Sequence, residues 1–519
     1  MEAHAIANEK PFSHTMEVFD GLLRKLEGPE WAALPHGQVE QALRVEGWEL
    51  LRVMYEDHLN LRAQAQPATP VVGSDGETRT HRRTMSRKLM SIFGMVELGL
   101  REGWRGDGLE ALCPLDAELN LPPTIDSHGV RRRVAELASK ISFDAVGEEL
   151  GKTSGATVGK RQLEELTHEV SRDFDAFYEV ATAEVVDESA TLLIGLVDAT
   201  GLAMRPEALR EATRRQREAE TASGERWPKP KGSSDTRKNG MRMAAVSVVY
   251  EVAPYVRDPQ DILRELRPIG VVPVKKPRPR AQAKRVSASV IKPLALVVRE
   301  TFDEMERRDP SHSKRWVVLL DGDEHQLDYV EAEVARRDIT VTIVLDFIHV
   351  AQYVWGAAKA LVPDDETLRR EWVTEKLTLV LWGESSTAAA AMRRSATKRA
   401  MATKDRAPVD LCANYLLKYR AYLGYDTALR DGLPITSGAV EGACRYLVKD
   451  RMDITGARWG LDTAEAVLRL RGLAASGDLD DYFDFHEALE LQRNHKSRYA
   501  NDTPPVLVQP GKPRLRLVR

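Results

Sequence analysis

Trp316-Val-Val-Leu-Leu-Asp321-Gly-Asp-Glu-His-Gln-Leu327 opens a stretch that closes on Thr340-Val-Thr-Ile-Val-Leu-Asp346-Phe-Ile-His349. Each end is a short apolar run, rich in β-branched residues, that stops at an aspartate. Between them Leu327, Val330 and Val334 recur at helical spacing as far as Arg337. The pattern predicts strand, helix, strand. Two strands joined through a helix must run parallel and be buried on both faces, which explains their unbroken apolar character. Both strands then end on one edge of the sheet, and Asp321 and Asp346 emerge there side by side. That edge is where open α/β sheets place ligands.

Working outward, Thr191 to Val197 is a similar apolar run ending at Asp198. Ala199 to Met204 reads as a turn and a second strand, and Met243 to Val252 as a third. The basic stretch Arg205 to Arg242 reads as an insertion or long loop. Pro273 to Arg285 carries Lys275, Lys276, Arg278, Arg280, Lys284 and Arg285 with no acid among them, a composition suited to phosphate contact. After His349 the chain reads as helix to about residue 430. Ser437 then caps a helix through Arg451 with Glu441 near its first turn.

This is the element order of an α/β, ribonuclease-H-like catalytic domain with an all-helical insertion. In such a sheet the first and fourth strands are neighbours, so Asp198 and Asp321 face each other across roughly 5 Å. Glu441 supplies a third carboxylate from a later helix. Converging carboxylates repel unless cations lie between them, and hard oxygen ligands select Mg2+ or Mn2+. Two such ions roughly 4 Å apart suit in-line displacement at phosphorus. Asp323 and Glu324 rival Asp321 for the second position, because a shift of the strand end would bring them to it.

The bulk numbers fit this reading without requiring it. At 519 residues, with 30% charged and 43% hydrophobic residues, the chain has material for several domains, and its net charge of -4 leaves the choice of partner to local charge. Cys113, Cys412 and Cys444 form no Cys-x-x-Cys pair, and the first residues hold no apolar signal core, so a cytoplasmic protein is expected. Residues 1–66 read as helical, with Phe19, Leu22, Leu23 and Leu26 on one face and Leu43, Trp48, Leu51 and Met54 on another. Residues 67–185 read as a DNA-binding region, with a strand at Ile92 to Leu100 and a helix-turn-helix-like segment expected over about 128–170. Its cations are Arg131, Arg132, Arg133, Lys160 and Arg161. The catalytic core takes residues 186–350, the helical insertion 351–433, the Glu441-bearing part of the core 434–475, and a last helix with a basic tail 476–519.

Leu-Val-Asp198-Ala-Thr-Gly-Leu-Ala-Met-Arg-Pro, Val-Leu-Leu-Asp321-Gly-Asp-Glu-His-Gln, Leu-Asp346-Phe-Ile-His349-Val, and Thr-Ser-Gly-Ala-Val-Glu441-Gly-Ala-Cys-Arg-Tyr with Gly456-Ala-Arg-Trp459 resemble bacterial insertion-sequence DDE transposases of the Kra type, in the Mutator-like branch. The resemblance implies that Asp198, Asp321 and Glu441 are the catalytic, metal-binding triad for two Mg2+ or Mn2+ ions. It also implies that Asp346 and His349 form an accessory Asp-x-x-His signature. Relatives often carry paired cysteines in the segment where this chain keeps Cys113 alone, so no zinc is expected. Trp459 reads either as a base-stacking residue or as core. Arg393, Arg394, Lys398 and Arg399 join the candidate phosphate contacts. The implied activity is metal-dependent hydrolysis at the ends of a mobile element followed by strand transfer into double-stranded target DNA, by a homodimer or larger assembly. The alternatives are a nuclease on the same fold that does not join strands, and a domesticated DNA-binding protein without catalysis.

Overall fold

The computed structural model describes residues 11–182, 186–222, 240–266, 277–454 and 456–509. Lys275, Lys276 and the tail from Pro510 lie outside the described residues. The chain divides into two compact units: Val180–Gly477, and Met1–Glu179 together with Asp478–Arg519. Among the described residues no helix is long and apolar enough to cross a membrane.

The unit Val180–Gly477 is α/β. Its sheet holds β1 (Leu192–Ala203), β2 (Met241–Val252), β3 (Gln282–Ser289), β4 (Arg315–Leu320) and β5 (Thr342–Leu345), in the spatial order β5-β4-β1-β2-β3. β2 lies antiparallel to β1 and β3, whereas β4 is parallel to β1 and β5 to β4. Trp316 to Leu320 are all buried, as a parallel strand covered on both faces requires. The crossover from β3 to β4 is α1 (Leu294–Arg308), which buries Val298, Phe302 and Met305. The crossover from β4 to β5 is α2 (Glu324–Arg337).

Two expectations need correcting. The first strand does not stop at Asp198 but runs through it to Ala203, because β2 pairs with it along its whole length, from Leu192 opposite Val252 to Ala203 opposite Met241. The third strand of the sheet comes from the end of the basic run, where Val286 and Ala288 are buried in alternation with outward residues.

Beyond β5 come α3 (Phe347–Leu361), α4 (Glu366–Leu381), α5 (Ser385–Lys398) and α6 (Thr403–Lys418), the helical block expected there. Then follow α7 (Gly438–Ala443), a π-helical turn over Cys444–Lys449, and α8 (Leu461–Ser476). α8 is fixed to the end of β3 by Glu465, which accepts from Ser289 Oγ at 2.8 Å and from the backbone N–H of Val290 at 2.9 Å.

In the other unit a long antiparallel hairpin pairs His81–Ser91 with Gly94–Arg105. From the sequence, one strand, Ile92 to Leu100, is expected there. His81–Ser91 hides from pattern reading because most of it is exposed and charged, with only Leu89 and Ser91 buried. Helices His128–Ala138, Phe143–Thr153 and Lys160–Val170 follow, the first two capped by Ser127 and Ser142. The helix Leu479–Asn494 belongs to this unit rather than to the sheet. Phe19, Leu23, Leu26, Leu43, Leu51 and Met54, expected as packing faces, remain exposed, while Leu22 is buried.

Candidate active site

β1 outruns β4. Their pairing ends at Leu196 opposite Leu319, and the same register carried two residues on sets Asp198 beside Asp321. On the far flank of β4, Leu345 pairs with Leu320, and the backbone N–H of Asp346 donates to the carbonyl of Leu320 at 2.7 Å. Asp321 therefore leaves the sheet between Asp198 and Asp346.

Asp198 is half-buried. Its Oδ1 accepts from the backbone N–H of Ala199 at 2.6 Å and its Oδ2 from the thiol of Cys444 at 3.4 Å. Burial pushes this carboxyl up and the charge of Asp321 adds to the effect, while Ala199, Cys444 and Lys449 pull it back. Burial also pushes the Cys444 thiol well up, with the Asp198 charge next.

Asp321 Oδ1 accepts from the backbone N–H of Asp323 at 3.0 Å, and its carbonyl accepts from the Tyr415 hydroxyl at 3.3 Å. Gly322 has φ of +95°, and a Cβ there would meet the Tyr415 hydroxyl at 2.4 Å. Only glycine suits both constraints. Asp323 turns the other way: its Oδ1 accepts from His325 at 2.9 Å and Gln326 at 3.1 Å, capping α2. Glu324 is exposed and paired with Lys418.

Glu441 lies on α7, three residues before Cys444 and so on the same face. Partial desolvation pushes its carboxyl up, and the charges of Asp346 and Asp198 push it further; His349 and the Ser437 hydroxyl draw it down. The π-helical turn that follows is tied by Arg471, whose Nε donates to the carbonyl of Leu447 at 2.6 Å and whose Nη2 donates to that of Tyr446. Trp459 is 7% exposed, donates to the carbonyl of Met452 at 2.9 Å and lies under the Arg451 guanidinium. It belongs to the interior and presents no free face for a base.

Asp346 is 1% exposed. Its Oδ1 accepts from the backbone N–H groups of Ile348 at 2.5 Å and His349 at 3.1 Å, and its Oδ2 from the N–H of Ser437 at 2.5 Å and from the Ser437 hydroxyl. The His349 ring meets Tyr353 edge-on, and Tyr353 stacks on Tyr415 with centroids 4.2 Å apart.

Carboxylate oxygens are the donor set for a hard divalent cation, and a cation would offset both the burial and the mutual repulsion that raise Asp198 and Glu441. The residues therefore fit one, although the three carboxylates do not close to within 4.8 Å of one another. Among the described residues the group that does is Asp173, His486 and Glu490, all buried, in the other unit. That group could hold a metal ion. It is also an ion-pair network: Arg493 donates to Asp173 at 2.7 Å and Glu490 at 2.5 Å, Arg172 pairs with Glu490, and His486 Nδ1 lies 2.6 Å from Asp173. His486 and Glu490 sit four apart on one helix, a spacing visible in the sequence. Asp173 arrives from 313 residues away, which is not.

The expected phosphate contacts divide. Arg131 is 3% exposed and binds Thr124 Oγ1 at 2.7 Å, the carbonyl of Asp126 at 3.1 Å and Glu169 at 3.2 Å. Arg285 pairs with the buried Glu304. Both are committed to the fold, which corrects their assignment to a DNA surface. Lys284 is half-buried over Tyr446, donating to its hydroxyl at 3.2 Å. Arg393 bonds Asn414, and Arg399 donates to the carbonyl of Leu361. Arg132, Arg133, Lys160, Arg161 and Arg278 keep exposure while paired with Asp480, Glu136, Asp144, Glu165 and Glu265. Arg280, Arg394 and Lys398 are exposed and make no ion pair with a described residue.

Compared with models of known protein families the chain matches none, and no curated protein matches it.

Proposed function

We propose that this chain is a DNA transposase of an insertion sequence, similar to the Kra type, whose unit Val180–Gly477 is a ribonuclease-H-like catalytic domain. The observation that carries the reading is the strand register that sets Asp198 beside Asp321, with Glu441 on a helix beyond the helical block close enough to feel the charge of Asp198. The order β5-β4-β1-β2-β3, with β2 alone reversed, supports the same fold. Asp198, Asp321 and Glu441 would hold Mg2+ or Mn2+. Asp323, already engaged as a helix cap, is the weaker candidate for the second position. Bound cations there supply activation of an attacking oxygen and stabilisation of the leaving one at phosphorus.

The chain's own residues do the rest. Cys444 and Ala199 hold the two oxygens of Asp198, Tyr415 holds the end of β4, and the exposed Arg280, Arg394 and Lys398 offer phosphate contacts. Joining two element ends calls for at least two copies on double-stranded DNA.

The test uses labelled duplexes carrying the DNA that flanks the gene, with Mg2+ or Mn2+, beside the Glu441→Gln variant. Nicking at one boundary and joined products, both lost in the variant, are expected. Cutting everywhere without joining would replace this reading with a nuclease. Tight binding with no metal-dependent product would replace it with a non-catalytic DNA-binding protein.

A further inference from the structure

We infer that Asp346 is a positioning residue that, through Ser437, fixes the Glu441 helix to the end of β5; the inference rests on the reading of Glu441 as a metal ligand. Asp346 stands at the same sheet edge as Asp198 and Asp321, where a third aspartate invites assignment as another ligand. Its surroundings assign it elsewhere. Four protein donors converge on its two oxygens, two on each, and it is buried to 1% exposure. A carboxylate so engaged has its acceptor sites filled from within the chain.

Those donors come from two elements with different jobs. Oδ1 caps α3, which opens the helical block. Oδ2 takes both the N–H and the hydroxyl of Ser437, the residue before α7. Ser437 would ordinarily cap its own helix through its side chain, but it makes no such bond, and its hydroxyl turns to Asp346 instead. Beside this contact the backbone N–H of Phe347 donates to the carbonyl of Ile435 at 2.9 Å, so the chain entering α7 is laid against the chain leaving β5. One helical turn on, the N–H of Glu441 donates to the carbonyl of Ser437 at 3.2 Å. Glu441 is thus one turn from a point pinned to the sheet, and α7 has only six residues before the helix widens into the π turn.

Partners that orient a metal ligand from behind change metal affinity by about 10- to 100-fold when removed. The experiment titrates Mn2+ into the full-length protein, free of DNA, by calorimetry, for the wild type and for Glu441→Gln, Ser437→Ala and Ser437→Thr. Metal-free thermal unfolding is recorded for each as a control on folding. The expected result is wild-type binding that Glu441→Gln weakens, a loss of about tenfold in Ser437→Ala, and recovery in Ser437→Thr, which restores the hydroxyl. Wild-type affinity in folded Ser437→Ala, or an equal loss in Ser437→Thr, would overturn the positioning role while leaving the Glu441 assignment standing. Wild-type binding indifferent to Glu441→Gln would overturn the assignment itself and the inference with it.

Discussion

The hydroxyl of Tyr415 donates to the carbonyl oxygen of Asp321 at 3.3 Å, so a helix of the inserted block holds the strand end that presents a candidate catalytic carboxylate. Tyr425 does the same for the next strand, donating to the carbonyl of Leu345 at 2.8 Å from a fully buried position. The block between β5 and Glu441 is therefore part of the architecture of the sheet edge.

Gly322 tests that contact. Gly322→Ala should cost about 1–3 kcal/mol, from the positive φ and the collision with the Tyr415 hydroxyl. Tyr415→Phe alone should cost about 1 kcal/mol. Because the phenylalanine removes the atom that the new methyl meets first, the double variant should be less destabilised than the sum of the two. Denaturant unfolding of the cycle checks this; strict additivity would mean that the two sites do not meet.

The acids give a pH dependence with a definite sign. Asp198 and Glu441 are both held above the ordinary carboxylate range, so the metal-free folded chain binds their protons more tightly than the unfolded chain. Their contribution to stability is fully present below about pH 4 and is lost as pH rises through their folded values. Added Mg2+ or Mn2+ should therefore raise the unfolding temperature more at neutral pH than in acid. Asp198→Asn, which removes the repulsion, should stabilise the metal-free protein by about 0.5–1 kcal/mol. Thermal melts with and without chelator across this range are the measurement, and a metal increment that shrinks as pH rises would contradict the account.

Asp321 and Asp323 differ in what they bond, and variants of each are expected to behave differently. Asp323→Ala removes the cap of α2 and should cost about 1 kcal/mol of stability while leaving metal-dependent DNA cleavage in place. Asp321→Asn should abolish cleavage with little change in stability. The opposite pattern would exchange their roles.

The cations separate in the same way. Arg285→Ala should destabilise, because it leaves Glu304 short of a partner in a buried ion-pair cluster. Arg394→Ala and Lys398→Ala should leave stability unchanged and weaken DNA binding, each lowering the slope of log affinity against log salt by about one. Binding isotherms at several salt concentrations distinguish the two classes.

The sheet edge is legible because Trp316–Leu320 is buried throughout and Thr342–Leu345, half-buried at its first two residues and buried at Val344 and Leu345, continues the same apolar signature. The apolar run before Asp198 marks the strand but not its end, because the strand continues, held by β2 beyond the point where its pairing with β4 stops. Arg131 and Arg285 look in sequence like members of basic surfaces. Their partners in the fold are Glu169 and Glu304, which composition cannot pair with them. The engagement of Asp346 with Ser437 spans 91 residues and carries no local pattern at all.

If Asp198, Asp321 and Glu441 form the cation site, an ion bound there can be made to mark its own position on the chain. Fe2+ with ascorbate and peroxide, substituted for Mg2+, generates radicals at the bound ion and cuts the nearby backbone. Cuts are expected close to Asp198, Asp321 and Glu441, suppressed by excess Mg2+ and by Glu441→Gln. Cuts confined to the neighbourhood of Asp173, His486 and Glu490 would contradict that assignment and place the bound ion in the other unit.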